Sequence, residues 1–231
     1  MCLMTHLLSK SKYIRGLQCV RALWLDVHEP RLARYTAEQM RRFDYGREFE
    51  FSFKSLFPDA IDVSAELRRQ VDAYPELTRT LLERNEGVTL FEAGFQYDDV
   101  LVLADVVSQR EDGSVDVYEV KSGGTLSDTY RRDAALQHYV VSHCCKVHSF
   151  SVVYNGTAAA DGVGEERFAV VDLTGELAAE GDAVAARVAA MKPVVLATDE
   201  PDVATGRHCN EPYACPYMAH CQGGARQLAL F

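Results

Sequence analysis

At 231 residues, 48% of them hydrophobic and 25% charged, the chain has the ordinary composition of a globular protein with room for one well-buried domain. A net charge of −10 argues against a protein that coats nucleic acid indiscriminately, and no apolar run approaches the length of a membrane span. The charge is uneven. Residues 1–42 carry +5 and the remainder −15, so a basic leading segment precedes an acidic body.

Met1 to Leu8 is too short for the apolar core of a signal peptide, and Ser9-Lys10-Ser11-Lys12 follows at once, so a cytoplasmic location is expected. In that reducing compartment seven cysteines point to metal or cluster ligation, or to packing, before disulfides.

In chain order, Ile14, Leu17, Val20, Leu23, Trp24 and Val27 recur at helical spacing and predict one helix from Ser11 to about His28, with Ser11 as its N-cap. Thr36-Ala37-Glu38-Gln39 reads as a capping box, opening a helix whose buried face would comprise Met40, Phe43, Phe49, Phe53 and Leu56 before Pro58. Residues 60–87 are helical in part. The period then changes: Val88–Tyr97, Val100–Val107 and Val115–Ser122 read as three strands joined by tight turns. A helix over about Ser127–His143, a strand over Val147–Tyr154 and a helix over Thr174–Met191 follow, before a tail bearing prolines and cysteines.

The loops fix the strand register. Glu111-Asp112-Gly113 makes a three-residue hairpin loop with Gly113 in the left-handed place, which pairs Arg110 with Ser114 and sets Asp105 opposite Glu119. The two-residue turn Asp98-Asp99 pairs Tyr97 with Val100 and sets Glu92 opposite Asp105. Three acids in one row, on a face otherwise apolar through Leu101, Leu103, Val107, Val115 and Val117, repel unless a cation neutralises them. Carboxylate oxygens without convergent histidines favour Mg²⁺ or Mn²⁺ over zinc. Lys121, two residues beyond Glu119, shares the face and can orient a water beside such an ion. A row of ordinary surface charges is the competing reading.

Three cysteines lie close together near the end, Cys209, Cys215 and Cys221. A fourth ligand would come from Cys19, with Cys2, His208 and His220 as rivals. Cys144 and Cys145 read as packed or free thiols. Zinc modules bring ligands in pairs two to four residues apart, and no such cysteine pair exists here. Wider spacing suits an iron–sulfur cluster better.

Ala104-Asp105 followed by Glu119-Val120-Lys121 resembles the PD-(D/E)XK nuclease signature, with alanine in the proline place. The resemblance implies metal binding by Asp105 and Glu119, assistance to the attacking water by Lys121, and an α/β fold with a restriction-endonuclease-like core: helix, three strands, helix, strand. RecB-like members carry a glycine with a metal-binding histidine four residues later; Gly46 is here followed at that spacing by Glu50, with Glu48 a rival. Their Gln-x-x-x-Tyr element is matched at Gln137 but not at Val141, with Tyr139 between. The cysteine arrangement, and the opening Leu8-Ser9-Lys10-Ser11-Lys12-Tyr13 with Leu17-Gln18-Cys19 and Leu23-Trp24, is similar to the iron–sulfur subgroup of RecB-like nucleases, which includes the CRISPR-associated exonucleases.

The resemblance therefore implies a single nuclease domain with a core at about 36–156, and segments 1–30 and 200–231 joined by a [4Fe–4S] cluster on Cys19, Cys209, Cys215 and Cys221. The substrate implied is DNA, as single strands or ends, met by Lys10, Lys12, Arg15 and Arg21, with a helicase or a CRISPR integrase as possible partners. A nuclease-like subunit that holds DNA with little or no catalysis is the alternative.

Overall fold

The computed structural model describes residues 6–67, 70–84, 86–156 and 167–223. It is an α/β structure built on one mixed seven-stranded sheet with helices on both faces. No helix among the described residues is long and apolar enough to cross a membrane.

The chain enters with a two-residue strand β1 (Leu8–Ser9), then α1 (Lys10–Gln18) and α2 (Val20–His28). The single helix expected here is two. Ser9 rather than Ser11 caps α1, its side chain accepting from the Lys12 amide, and extended backbone at Cys19 (φ −164°, ψ 122°) separates the helices. The break resets the helical phase. Tyr13 and Gly16 face the main core, whereas α2 buries the consecutive run Ala22–Leu25. A straight helix has one apolar stripe and cannot bury such a run, but α2 packs both on the long helix α8 (Gly181–Leu196) and on Tyr217 of the terminal segment.

Next come α3 (Ala37–Lys54), β2 (Ile61–Asp62), α4 (Val63–Leu67) and α5 (Tyr74–Glu83). The Thr36–Gln39 capping box forms in both directions. Only Phe49 and Phe53 of the expected apolar face of α3 are buried, against Val106, Val120 and Val153 of the sheet. Met40 and Phe43, in the leading turns of α3, are exposed, and so is Leu56 just past its end.

The three central strands are β3 (Thr89–Tyr97), β4 (Val100–Gln109) and β5 (Val115–Lys121), followed by α6 (Asp128–Cys144) and β6 (Val147–Asn155). The expected registers hold: Tyr97 pairs with Val100, and the Arg110 amide bonds the Ser114 carbonyl with Gly113 at φ 77°. α6 crosses from β5 to β6, which run parallel. Three strands were not legible beforehand. These are β1, β2 and the edge strand β7 (Phe168–Asp172), antiparallel to β6. The last predicted helix is α7 (Thr174–Ala179) and α8, divided at Glu180. α9 (Met218–Gly223) closes the described chain.

One topological feature positions the site. β4 pairs with β3 along nearly its whole length, but on its other side it pairs with β5 only over Val106–Gln109 and with β1 at Val100 and Leu101. The sheet therefore forks beside Asp105, with β1 on one branch and the end of β5 on the other.

Candidate functional site

At the fork the ladder between β4 and β5 stops at the pair Val106–Tyr118. The next backbone donor on β5, Val120 N–H, is taken by Asp105 Oδ2 at 2.7 Å. A carboxylate in place of a carbonyl holds the strands together while turning Asp105 into the gap. Glu119 sits across from it, fully buried.

Lys10, the first residue of α1, enters beside β1. Its ammonium lies 2.8 Å from Glu119 Oε1 and 3.8 Å from Asp105 Oδ1, which puts both acids on the same side of the sheet. Lys121 donates to the same Glu119 oxygen at 2.5 Å and to Asp133 Oδ2 of α6 at 2.5 Å. Glu119 Oε2 and Asp133 Oδ1 are buried with no protein hydrogen-bond partner.

From the other side α3 supplies Glu50, and β3 supplies Glu92. Carboxylate oxygens of Glu50, Glu92 and Asp105 lie within 4.8 Å of one another, the only such group of metal-ligand atoms among the described residues. Lys54 touches Glu50 at 2.5 Å and Glu92 at 2.6 Å. Glu92 has φ 51°, a left-handed conformation that costs a residue with a Cβ on the order of 1–3 kcal/mol. Such strain persists only where surroundings impose it. Here it swings a carboxylate toward Glu50.

The electrostatics follow from crowding in a dry place. Burial, then the neighbouring Glu119, raise the Asp105 carboxyl well above its ordinary value. Burial also opposes ionisation of Glu119, but Lys10 and Lys121 outweigh it and hold that group below the usual carboxylate range. Burial raises Asp133 as well, against the pull of Lys121.

The site opens outward. Lys10, Lys121 and Asp133 line a groove of 490 Å³ with Arg42, Tyr130 and Tyr213. An adjoining depression of 1090 Å³ runs past Glu50 along α3, over Arg41, Phe43, Tyr45 and Arg47.

Of the residues expected at the site, Glu50, Glu92, Asp105, Glu119 and Lys121 meet here. The rival Glu48 is exposed on α3. Gln137 lies one helical turn after Asp133 on α6, fully buried, with neither amide atom bonded to protein. Tyr139 lies elsewhere, bonding Asp98 and packing on Tyr97 at the β3–β4 turn. Three of the four leading basic residues expected to meet DNA pair with acids of the chain. Lys10 belongs to the acid site, Arg15 pairs with Asp26 at 3.2 Å, Arg21 pairs with Glu200 at 2.5 Å, and Lys12 is half-buried on α1. Each lies where the fold supplies its own acid or a covering chain. Sequence reasoning missed the roles of Asp133 and Lys10; the i, i+4 spacing of Asp133 and Gln137 was the available signal.

Cys19, Cys209, Cys215 and Cys221 line one small cavity with His208 and Arg21. The side-chain amide of Gln18 ties this region together, donating to the carbonyls of His208 (2.9 Å), Glu211 (3.3 Å) and Tyr213 (2.7 Å). His220 is engaged by Glu200 at 3.1 Å, and Cys2 lies outside the described residues. Cys144 is exposed and donates to the Gln96 carbonyl, while Cys145 packs on the core.

No protein-family model matches the chain, and no curated protein sequence matches it. Among solved structures it is similar to one titled "Crystal structure of SSO0001", at 12% identity over 94% of this chain and 85% of that one, with a TM-score of 0.39. That likeness is too loose to define a fold.

Proposed function

We propose that this chain is a Mg²⁺- or Mn²⁺-dependent DNA nuclease of the PD-(D/E)XK, RecB-like kind, acting on single strands or ends, with a structural [4Fe–4S] cluster. The observation that carries the reading is the meeting of Asp105, Glu119 and Lys121 with Glu50 and Glu92 at the fork of the sheet, beside an open groove.

The donor set fits a hard divalent ion: three carboxylates within 4.8 Å of one another, and a buried Glu119 oxygen without a protein partner. Glu50, Glu92 and Asp105 would hold it, with Glu119 alongside. An ion there supplies a Lewis acid for the phosphate and makes water easier to deprotonate. Lys121, fixed between Glu119 and Asp133, points its ammonium at the groove floor, where it orients a nucleophilic water and meets charge developing on a phosphoryl oxygen. Exposed Phe43 and Tyr45 with Arg41 and Arg42 give the groove wall stacking faces and cations suited to a nucleic-acid strand.

Cys19, Cys209, Cys215 and Cys221, which line one small cavity, would hold the cluster. Its role is to tie residues near both ends together, since hydrolysis needs no electron transfer.

The test is one anaerobic preparation, assayed for iron and zinc and for cleavage of single-stranded and end-bearing DNA with Mn²⁺. Iron in the wild type, and loss of cleavage in D105A and K121A, are expected. Full activity in both variants removes the proposed site, and zinc without iron removes the cluster. A second reading is a nuclease-like subunit that holds DNA for a helicase or a CRISPR integrase. It is favoured by Val141 in the tyrosine place and by the lysines already engaging the acids. DNA binding without cleavage by any metal would establish it.

A further inference from the structure

We propose that Tyr213, carried on the loop between Cys209 and Cys215, is a specificity-determining residue that selects single strands. Its ring stacks on an unpaired base of a strand lying in the groove. A duplex, with its bases paired and stacked inside, cannot make that contact. The proposal rests on the nuclease reading only in supposing that a nucleic-acid strand occupies the groove.

Position is the first argument. The groove beside Lys10 and Asp133 and the larger depression along α3 share a border. It consists of Arg42 and Phe43 of α3, Lys121 of β5, Thr129 and Tyr130 of α6, and Tyr213. A third depression, of 600 Å³, carries Arg132 and Arg207 and is lined by Tyr213 as well. Tyr213 thus stands where three depressions meet, and a strand running from one to another passes beside its ring.

The make-up of the border is the second argument. Of its six residues three are aromatic and two cationic. Lys121 Nζ lies 5.9 Å from the centre of the Tyr130 ring, so a cation for a phosphate and a ring for a base stand side by side. That pairing suits a single strand, whose bases are free to stack on any π-face. Two of the rings are already engaged, Phe43 edge-on with Tyr35 at 5.5 Å and Tyr130 by the Lys121 ammonium. The Tyr213 ring has no aromatic or cation–π partner among the described residues.

The tyrosine is also anchored. Its carbonyl accepts from Gln18 Nε2 at 2.7 Å, the Ala214 carbonyl accepts from Gln39 Nε2 at 3.0 Å, and the Cys215 amide donates to the Cys209 carbonyl at 2.8 Å. The backbone is pinned from α1, from α3 and within its own loop, yet the residue stays 37% exposed. A ring with few rotatable bonds on a fixed backbone loses little freedom when a base lands on it.

The base dependence of binding tests this apart from cleavage. The full chain with its cysteine site loaded is mixed, without added divalent ion, with fluorescent oligothymidylate, an abasic strand of the same length, or a blunt duplex. Anisotropy reads the affinities. Wild type and Y213F are expected to prefer oligothymidylate to both other probes. Y213A should bind oligothymidylate about 5–150-fold more weakly than wild type, the worth of one base–aromatic stack, and the abasic strand equally well. Y213L, which keeps apolar bulk without a π-face, replaces Y213A if the latter does not fold. Equal weakening on both strands would mark a merely structural role and overturn the proposal. So would an unchanged affinity for oligothymidylate in the variant, or a wild type that binds the duplex or the abasic strand as tightly as oligothymidylate. Each of these leaves the nuclease reading standing. A wild type that binds none of the probes, and cuts none of them with Mn²⁺, would overturn both.

Discussion

Changing Gln137 to methionine isolates the amide buried on the inner face of α6. The side chain is wholly inaccessible, and neither Nε2 nor Oε1 bonds to protein. Leaving a buried donor or acceptor unpaired costs about 1–3 kcal/mol, whereas replacing the polar group by an apolar one of the same shape recovers much of that cost. Methionine matches glutamine in length and nearly in volume, and its unbranched, adaptable tip should leave little cavity or strain to offset the gain. Taking one such group's worth as the net gives a stabilisation of about 2 kcal/mol, and Tm shifts by roughly 2–4 °C per kcal/mol in chains of this length. Q137M should therefore melt about 4–8 °C higher, read by far-ultraviolet circular dichroism on the metal-free chain. If the amide is retained for work at the groove floor, the same variant should cleave DNA more slowly. A Q137M protein no more stable than wild type would refute the energetic argument, because it would mean the amide is satisfied. One that is more stable and fully active would refute the functional argument.

Two further predictions use other parts of the molecule. At Gly94 of β3 an added Cβ would stand 2.5 Å from Tyr74 Cβ and 2.9 Å from the Pro75 nitrogen, backbone that cannot step aside. G94A should lose about 1–3 kcal/mol in urea unfolding, and an unchanged midpoint would show that α5 is not seated there as described. The raised carboxyl of Asp105 gives a pH dependence. In the metal-free fold this group's contribution to stability is full below its unfolded pKa and is lost as pH rises through the higher folded value. A divalent ion demands the ionised form, so Mn²⁺ binding should release a proton and tighten as pH rises through that value. Calorimetry in buffers of different ionisation enthalpy reads the proton count; a count of zero at mildly acidic pH would contradict the prediction.

The centre of the fold was open to reading because its registers are set locally. Gly113 and the Asp98-Asp99 turn fix which residues of three successive strands stand opposite one another, and that placed Asp105 between Glu92 and Glu119. The capping box at Thr36 and the cap at Ser127 fixed the starts of α3 and α6 for the same reason. What stayed hidden depends on partners distant in sequence. β1 and β2 are two residues each and exist only because a neighbouring strand offers free donors and acceptors. The role of Lys10 follows from β1, and nothing within its own segment foretells an ammonium more than a hundred residues away from its acid. The basic character of residues 1–42 leaves the pairing of those charges open for a related reason. Charge runs reveal excess, but Asp26 and Glu200 reach Arg15 and Arg21 through folding alone.

The Gln18 amide, reaching three carbonyls nearly two hundred residues later, has a consequence for biosynthesis. Synthesis passes Gln18 long before it reaches the residues that Gln18 binds, so these bonds and the cavity around Cys19 can close only once Tyr213, Cys215 and Cys221 have been added. Until then α1 is held through β1, α2 and α6, so the fork beside Asp105 can assemble ahead of the cysteine-lined end of the helix.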